Sequence, residues 1–503
     1  MCIRDSIEAN QSEPSAIFNY NGAVKLYYDG GTYSTPKLET TATGITLDGE
    51  VAASQDYPNF RPTLDLNFAA VKKLDSRITY QRTGPASYVD KFGLVRLVGS
   101  NEPRFDHDPV TRESKGLLIE ESRTNLIKWS LKLGDGAAFD NDISNQGWGT
   151  NNVTSTIAES VVAPDGKTGG VWEVRENNAN SYHAIWHQAQ IPLTNGTKYF
   201  ITSWVKKGAN YNTSANTNGY FQFYCSRGTG SVASVTLNNT FTAFQAHTNT
   251  DSRSITQYRN GWIKVMYSFT ANATNTGTAT PHWLHGGGGS YAGNGASSVY
   301  IWGCQMEAGA FETSHILTNG STVTRGLDLT TVEGTDFSDA FGTDFNEFSL
   351  VADYDNTQTV DGTAYGIIDL WGESTGYDDR VEWFKDNASP YHIETRSFGQ
   401  GNATFVNGNL SASSKAKSQR FATSWYVPDY SNTSSRRFVV SMGGEAVDVI
   451  GDNSGTTVPQ LTRMGIGCNP TRLDFSGGVL HFKRLMLYNR TLSDGQLQNL
   501  SAQ

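Results

Sequence analysis

Cysteine is almost absent: 503 residues hold four, at Cys2, Cys225, Cys304 and Cys468. No C-x-x-C pair occurs and no histidine stands at zinc-ligand spacing, which excludes a disulfide framework and a metal knuckle. A Cys225–Cys304 bridge requires that their strands adjoin, and lone buried thiols are the commoner state in β-sandwiches. Proline is scarce at 14 positions against 51 glycines, so the chain is neither collagen-like nor proline-rich and disordered. Charged residues make up only 17% beside 12% aromatics, the balance of a chain that folds. Thirty-nine basic against 49 acidic side chains give −10, with no Lys/Arg block, so a nucleic-acid or polyphosphate partner is not expected. No apolar run approaches the ~20 residues that cross a bilayer. Met1 to Asn10 lacks the apolar middle of a signal peptide, so neither membrane insertion nor Sec export is expected. Also missing are the G-x-S-x-G elbow, H-E-x-x-H, the P-loop and the dinucleotide fingerprint.

Helical periodicity is nearly absent as well. Short alternating runs bounded by Gly, Asn, Asp, Ser and Thr recur instead, at Tyr199 to Val205, Tyr220 to Tyr224, Trp262 to Phe269 and Val299 to Trp302. The pattern predicts an all-β chain of tandem antiparallel sandwiches, because alternate residues can enter a core shared by two sheets. At ~100–200 residues per domain the length implies about three units.

Ala23 to Gly31, Lys37 to Thr41 and Gly44 to Gly49 read as three short strands too small to hold a core alone. Their order resembles the stem segments of bacteriophage tail fibres, which implies a fibre-stem or trimerisation segment over 1–56. Within it Met1 to Ser6 resembles an adapter-derived start, which implies a longer natural protein. Pro103 to Pro109 and Gly116 to Leu126 resemble a connector of phage tail and head-fibre proteins, placed here at 57–127. Residues 128–330, closing on Val299 to Gly309, Thr313 to Ile316 and Thr324-Arg325, resemble carbohydrate-binding-module jelly rolls. His315 and Cys304 stand where tyrosine and alanine are usual there, so neither is assigned a role. Residues 335–503, with Gly478 to Ser493 as signature, resemble a concanavalin A-like or laminin-G-like sandwich that ends in a short helix. Ser493 is suited to cap that helix and Gln496 to reach back.

Sugar binding needs an aromatic face under a ring and planar polar groups for its hydroxyls. In the first sandwich the candidates are Tyr182, Trp186, His187 and Gln188, with Trp283 and His285; in the last they are Trp371, Tyr377 and Asp378. The plainer reading, core tryptophans of strands, carries more weight for Trp186, Trp283 and Trp371, and Trp262 and Trp302 read as core outright. Catalysis would need paired carboxylates ~5–10 Å apart. Asp369, Glu373, Asp378, Asp379 and Glu382 supply the type but not the spacing of a concanavalin-like glycosidase, and solvated loop charges are the preferred reading. Asp353, Asp355 and Asp361 are calcium candidates by type only, without the twelve-residue ligand loop.

The order stem, connector, jelly roll, laminin-G-like sandwich implies a phage virion fibre, tail or head. Its expected work is non-catalytic attachment to host cell-surface glycans as a homotrimer joined to other virion proteins and assembled in the host cytoplasm, with no cofactor beyond calcium. A polysaccharide depolymerase and a purely structural fibre or head-decoration protein are the alternatives.

Overall fold

A computed structural model describes residues 5–10, 13–18, 23–26, 38–41, 44–47, 61–131, 147–211, 220–279, 281–285, 289–342, 345–356, 365–373, 380–385, 393–399, 403–410, 418–428, 436–449, 460–467 and 478–502. Strands take 51% of it and helix 6%, so the chain is all-β and its sheets are antiparallel. It divides into two compact units, 1–61 and 62–503.

The first unit is a five-stranded meander of Asp5–Asn10, Glu13–Phe18, Val24–Leu26, Leu38–Thr41 and Gly44–Leu47, each strand pairing with the next. The three strands expected from the sequence are its last three. Lys25 and Glu39 pair across two of them at 2.9 Å.

In the second unit, residues 148–308 form a sandwich of two six-stranded sheets. One runs Trp148–Asn151, His183–His187, His282–His285, Phe221–Ser226, Val232–Leu237, Phe244–Thr248 in spatial order. The other is centred on Lys198–Lys207 between Ile263–Thr270 and Ser298–Ala308. Alternation produces this packing: Phe221, Phe223 and Cys225 point inward while Gln222, Tyr224 and Ser226 stay half-exposed. Cys225 and Cys304 lie in different sheets and are free buried thiols. Trp262 and Trp302 are buried, as their apolar runs predict.

The second sandwich has an eight-stranded and a seven-stranded sheet around one core. Its strands are shared differently from the division expected at 57–127 and 335–503. Leu64–Leu66 and Ser114–Glu120 both pair with one edge of the last strand, Val479–Tyr488. Phe105–His107 extends the same sheet, and Thr79–Gln81 joins the opposite one through Leu329–Glu333. The expected connector is thus part of this sandwich, and Leu64, Leu66, Leu117 and Ile119 belong to its core. Gly116 makes the docking feasible: its φ is +91°, and a Cβ there would lie 1.9 Å from the Phe482 carbonyl oxygen. The closing helix, Asp494–Ala502, is capped as expected, with Ser493 Oγ accepting from the Gln496 N–H at 3.4 Å and Gln496 Oε1 accepting from the Ser493 N–H at 2.9 Å.

The first sandwich is therefore an insertion in the second. Its two crossings, Arg123–Asn125 and Val323–Arg325, pair with each other as a neck. Around the neck Arg82, Arg104, Arg123 and Arg325 meet Glu120, Glu121, Glu307 and Asp328. Arg104 is fully buried and binds Glu120 and Asp328 at 2.5 Å each, as well as the Ser87 carbonyl at 3.0 Å. Glu120 also takes Arg325 at 2.8 Å, the Ser314 hydroxyl at 2.6 Å and the Ser314 N–H at 2.7 Å. Burial alone would raise the Glu120 carboxyl, but Arg325 and Arg104 outweigh it and hold the group far below the usual range.

A buried ion cluster of this kind is costly to break, because the survivors stay charged without partners. Glu120→Ala is expected to lower unfolding stability by about 3–5 kcal/mol in urea titration. A carboxyl lowered on folding stabilises above its unfolded value of about 4.3, and that contribution is lost as pH falls toward the folded value. Acidification from pH 7 to pH 3 should therefore lower the melting temperature more in the wild type than in Glu120→Gln.

Candidate functional site

The outer face of the first sheet of residues 148–308 carries an aromatic row. Register sets Gly149 opposite Trp186, Trp186 opposite His282 and His282 opposite Tyr224, so three rings lie side by side on three neighbouring strands. Trp186 and His282 stack with centroids 5.7 Å apart and planes at 21°, and Tyr224 meets His282 edge-on at 4.9 Å. All three are half-buried. Their inner neighbours Ile185, Trp283 and Phe223 fill the core, which fixes the rotamers of the outer row from beneath.

Gly149 supports the row by its lack of a side chain. A Cβ at that position would lie 2.5 Å from the Trp186 indole, so the indole rests directly over the neighbouring backbone. Planar amides flank the rings. Gln222 donates to Thr236 Oγ1 at 3.3 Å, and the Oε1 of half-buried Gln188 has no protein partner. Burial pushes the His282 imidazole down to about 4, so near pH 7 it is neutral and presents a hydrogen-bonding ring rather than a charge.

The residues expected from the sequence divide sharply. Tyr182, Trp186 and Gln188 share the parity of the outer face, with Tyr182 exposed. His187 has the opposite parity: it is fully buried, its Nδ1 meets the Ala189 carbonyl at 3.1 Å, and its Nε2 accepts from the Lys128 N–H at 3.2 Å. Burial holds it at about 4 and both nitrogens are spent inside the fold, which corrects its assignment to a ligand. Trp283, 1% exposed, packs against Trp148 at 4.9 Å; an indole enclosed on both faces cannot receive a sugar, so it too is core. His285 stands opposite His183 and Phe221 on its strand, and its side chain is outside the described residues.

In the second sandwich Trp371 is 2% exposed and is likewise corrected to core. Tyr377, Asp378 and Asp379 lie outside the described residues. Asp369 and Glu382 are buried directly opposite one another, each 3.8 Å from Arg380, and Glu373 binds Arg463 at 2.7 Å. Asp369 and Glu382 are thus buried strand residues rather than loop charges, while Glu373 is a solvated loop carboxylate, as expected. Asp353 is paired with Arg420 at 3.2 Å, Asp355 follows two residues on, and Asp361 lies outside the described residues. Among the described residues no three of His, Cys, Asp and Glu gather as a metal site.

His282 and Tyr224 are the members of the row not anticipated. Strict alternation carried the signal: in Phe221 to Ser226 the even positions face out, and His282 must oppose its buried neighbour Trp283.

The sequence matches no protein-family model and no curated protein. Among solved structures, one described as Ruminococcus gnavus IT-sialidase CBM40 aligns at 14% identity and a TM-score of 0.26, over 34% of this chain and 92% of its own. A structure described as a receptor binding domain aligns at 12% identity and 0.27, over 35% of this chain and 39% of its own. Trypanosoma rangeli sialidase with the inhibitor DANA aligns at 10% identity and 0.25, over 66% and 60%. At such scores these likenesses bear no weight on function, which has to be read from the geometry.

Burial of Trp283 has a direct test. Trp283→Ala is expected to cost about 3–5 kcal/mol of stability as a large-to-small core change, read as an earlier denaturant midpoint with an unchanged slope.

Proposed function

We propose that the chain is a glycan-binding protein, and specifically a bacteriophage virion fibre or receptor-binding protein that attaches to host cell-surface saccharides without catalysis. The observation that carries the binding reading is the row of half-buried Trp186, His282 and Tyr224 on the outer sheet face, flanked by Gln188 and Gln222. A flat row of rings takes the C–H face of a pyranose, and neighbouring amides take its hydroxyls. Because the row crosses three strands, it suits an extended saccharide lying across the sheet. The phage setting is supported by the stem and connector resemblances in the sequence. Self-association as a trimer through the stem would multiply a weak single site through effective concentration. The reading invokes no cofactor.

A depolymerase reading is weighed on the buried pair Asp369 and Glu382. The two lie opposite one another, each 3.8 Å from Arg380, and burial of the pair favours an ion-pair role over catalysis. A purely structural fibre is the other alternative.

The deciding measurement is a glycan-array screen with and without calcium, together with the oligomeric mass of the same sample. Specific retention by a trimer is expected, and Trp186→Ala should weaken it at least tenfold with little change in melting temperature. Retention by that variant equal to wild type, or a trimer that retains no glycan, removes the reading in favour of a structural fibre. Because His282 is neutral above a pKa of about 4, retention should be level from pH 8 to pH 5 and fall only below that range.

A further inference from the structure

Away from the aromatic row, a cavity of about 220 Å³ opens where residues 87–120, the first sandwich and the last strand of the second converge. Trp204, His315 and Leu118 form a buried floor, and half-buried Tyr88, Tyr258 and Lys115 stand toward its rim. Its charges are largely matched internally. Lys264 binds Glu312 at 3.0 Å, His481 Nε2 binds Asp106 at 2.8 Å, and Glu120 is engaged by Arg104 and Arg325.

What is left over is hydrogen-bonding capacity. Both ring nitrogens of His315 and Nδ1 of His481 are buried without a protein partner, and both side chains line the cavity. Buried polar atoms are paired in the great majority of cases, so three orphans around one cavity mark a place where something else supplies the partners. Trp204 and Tyr258 meet edge to face, 5.9 Å apart at 78°, so the buried indole braces half-buried Tyr258 from behind while Tyr258 and Tyr88 supply the accessible rings. At ~30 Å³ per water the volume is on the order of seven waters, which suits a single small ring rather than a chain of them.

We propose that this cavity binds one neutral monosaccharide unit, as a site separate from the aromatic row. Matched charges disfavour a phosphate or carboxylate ligand, while unpaired imidazole nitrogens beside the half-buried rings of Tyr88 and Tyr258 suit ring hydroxyls and C–H faces. The site does not depend on the row's being a glycan site. Since its walls come from both sandwiches, occupancy ties them together and raises the melting temperature by linkage.

The test is calorimetric titration and thermal unfolding of the full chain with glucose, galactose, mannose and N-acetylglucosamine, with inorganic phosphate and N-acetylneuraminate as charged probes. One neutral sugar is expected to saturate a single site and raise the melting temperature. His315→Leu should weaken it at least tenfold without lowering the melting temperature of the free protein, since it removes a buried group that has no partner there. Tyr88→Phe, a milder change at the rim, should weaken it several-fold, and Trp186→Ala should leave it unaltered. The proposal is overturned if none of the four sugars saturates, if a charged probe binds in preference, or if Tyr88→Phe and any folded His315→Leu protein bind as the wild type does. It is also overturned if Trp186→Ala abolishes the binding, because the sugar would then be on the row.

Discussion

The second unit depends on the ion cluster at the neck. Arg104 comes from the segment before the inserted sandwich, Glu120 from the strand leading to it, and Ser314, Arg325 and Asp328 from the segment that returns. No single stretch of chain can satisfy these groups, and burying any one of them alone is prohibitive. The cluster therefore forms only when outgoing and returning chain are in register, and so it specifies the junction as well as stabilising it. Asn125 does the same work without charge: its amide donates to the Cys304 and Ile316 carbonyls while its oxygen accepts from the Ile127 and Met306 N–H groups.

This explains which parts of the molecule were legible in the sequence. The distinctive runs Pro103 to Pro109, Gly116 to Leu126 and Thr313 to Arg325 are distinctive because their polar residues converge on one buried cluster, although residues that touch there are up to 210 apart. Their resemblance was visible, and their meeting was not, since pairing at that separation leaves no local periodicity. The all-β class, the helix cap at Ser493 and the core roles of Trp262 and Trp302 followed from local pattern and hold in the structure. Domain limits did not follow, because a strand such as Leu64–Leu66 carries no mark of the partner that it finds at Leu485 to Leu487.

The sugar-binding candidates show the same division at the scale of a single strand. Clusters such as Tyr182 to Gln188 and His282 to His285 drew attention through composition, but a strand places neighbours on opposite faces. Trp186 and Trp283 look alike in sequence, yet one lies on the surface and the other in the core, and the parity that separates them is set by which residues their neighbours bury. His315 stands where the jelly-roll motif that this segment resembles usually has tyrosine. Its position beneath a cavity makes that departure the more interesting feature.

The sharing of strands also orders events in time. Residues 148–308 contain every strand of the first sandwich, so that sandwich can close while the ribosome is still making the rest. Leu64–Leu66 and Ser114–Glu120 must wait for Val479–Tyr488, which emerges long after them, and Asp65 then meets Arg484 across 419 residues. Until then each of these early strands has an open edge, exposed to the wrong neighbours. Their brevity, three residues in one case, and the charges that interrupt them keep such an edge from becoming a template for aggregation.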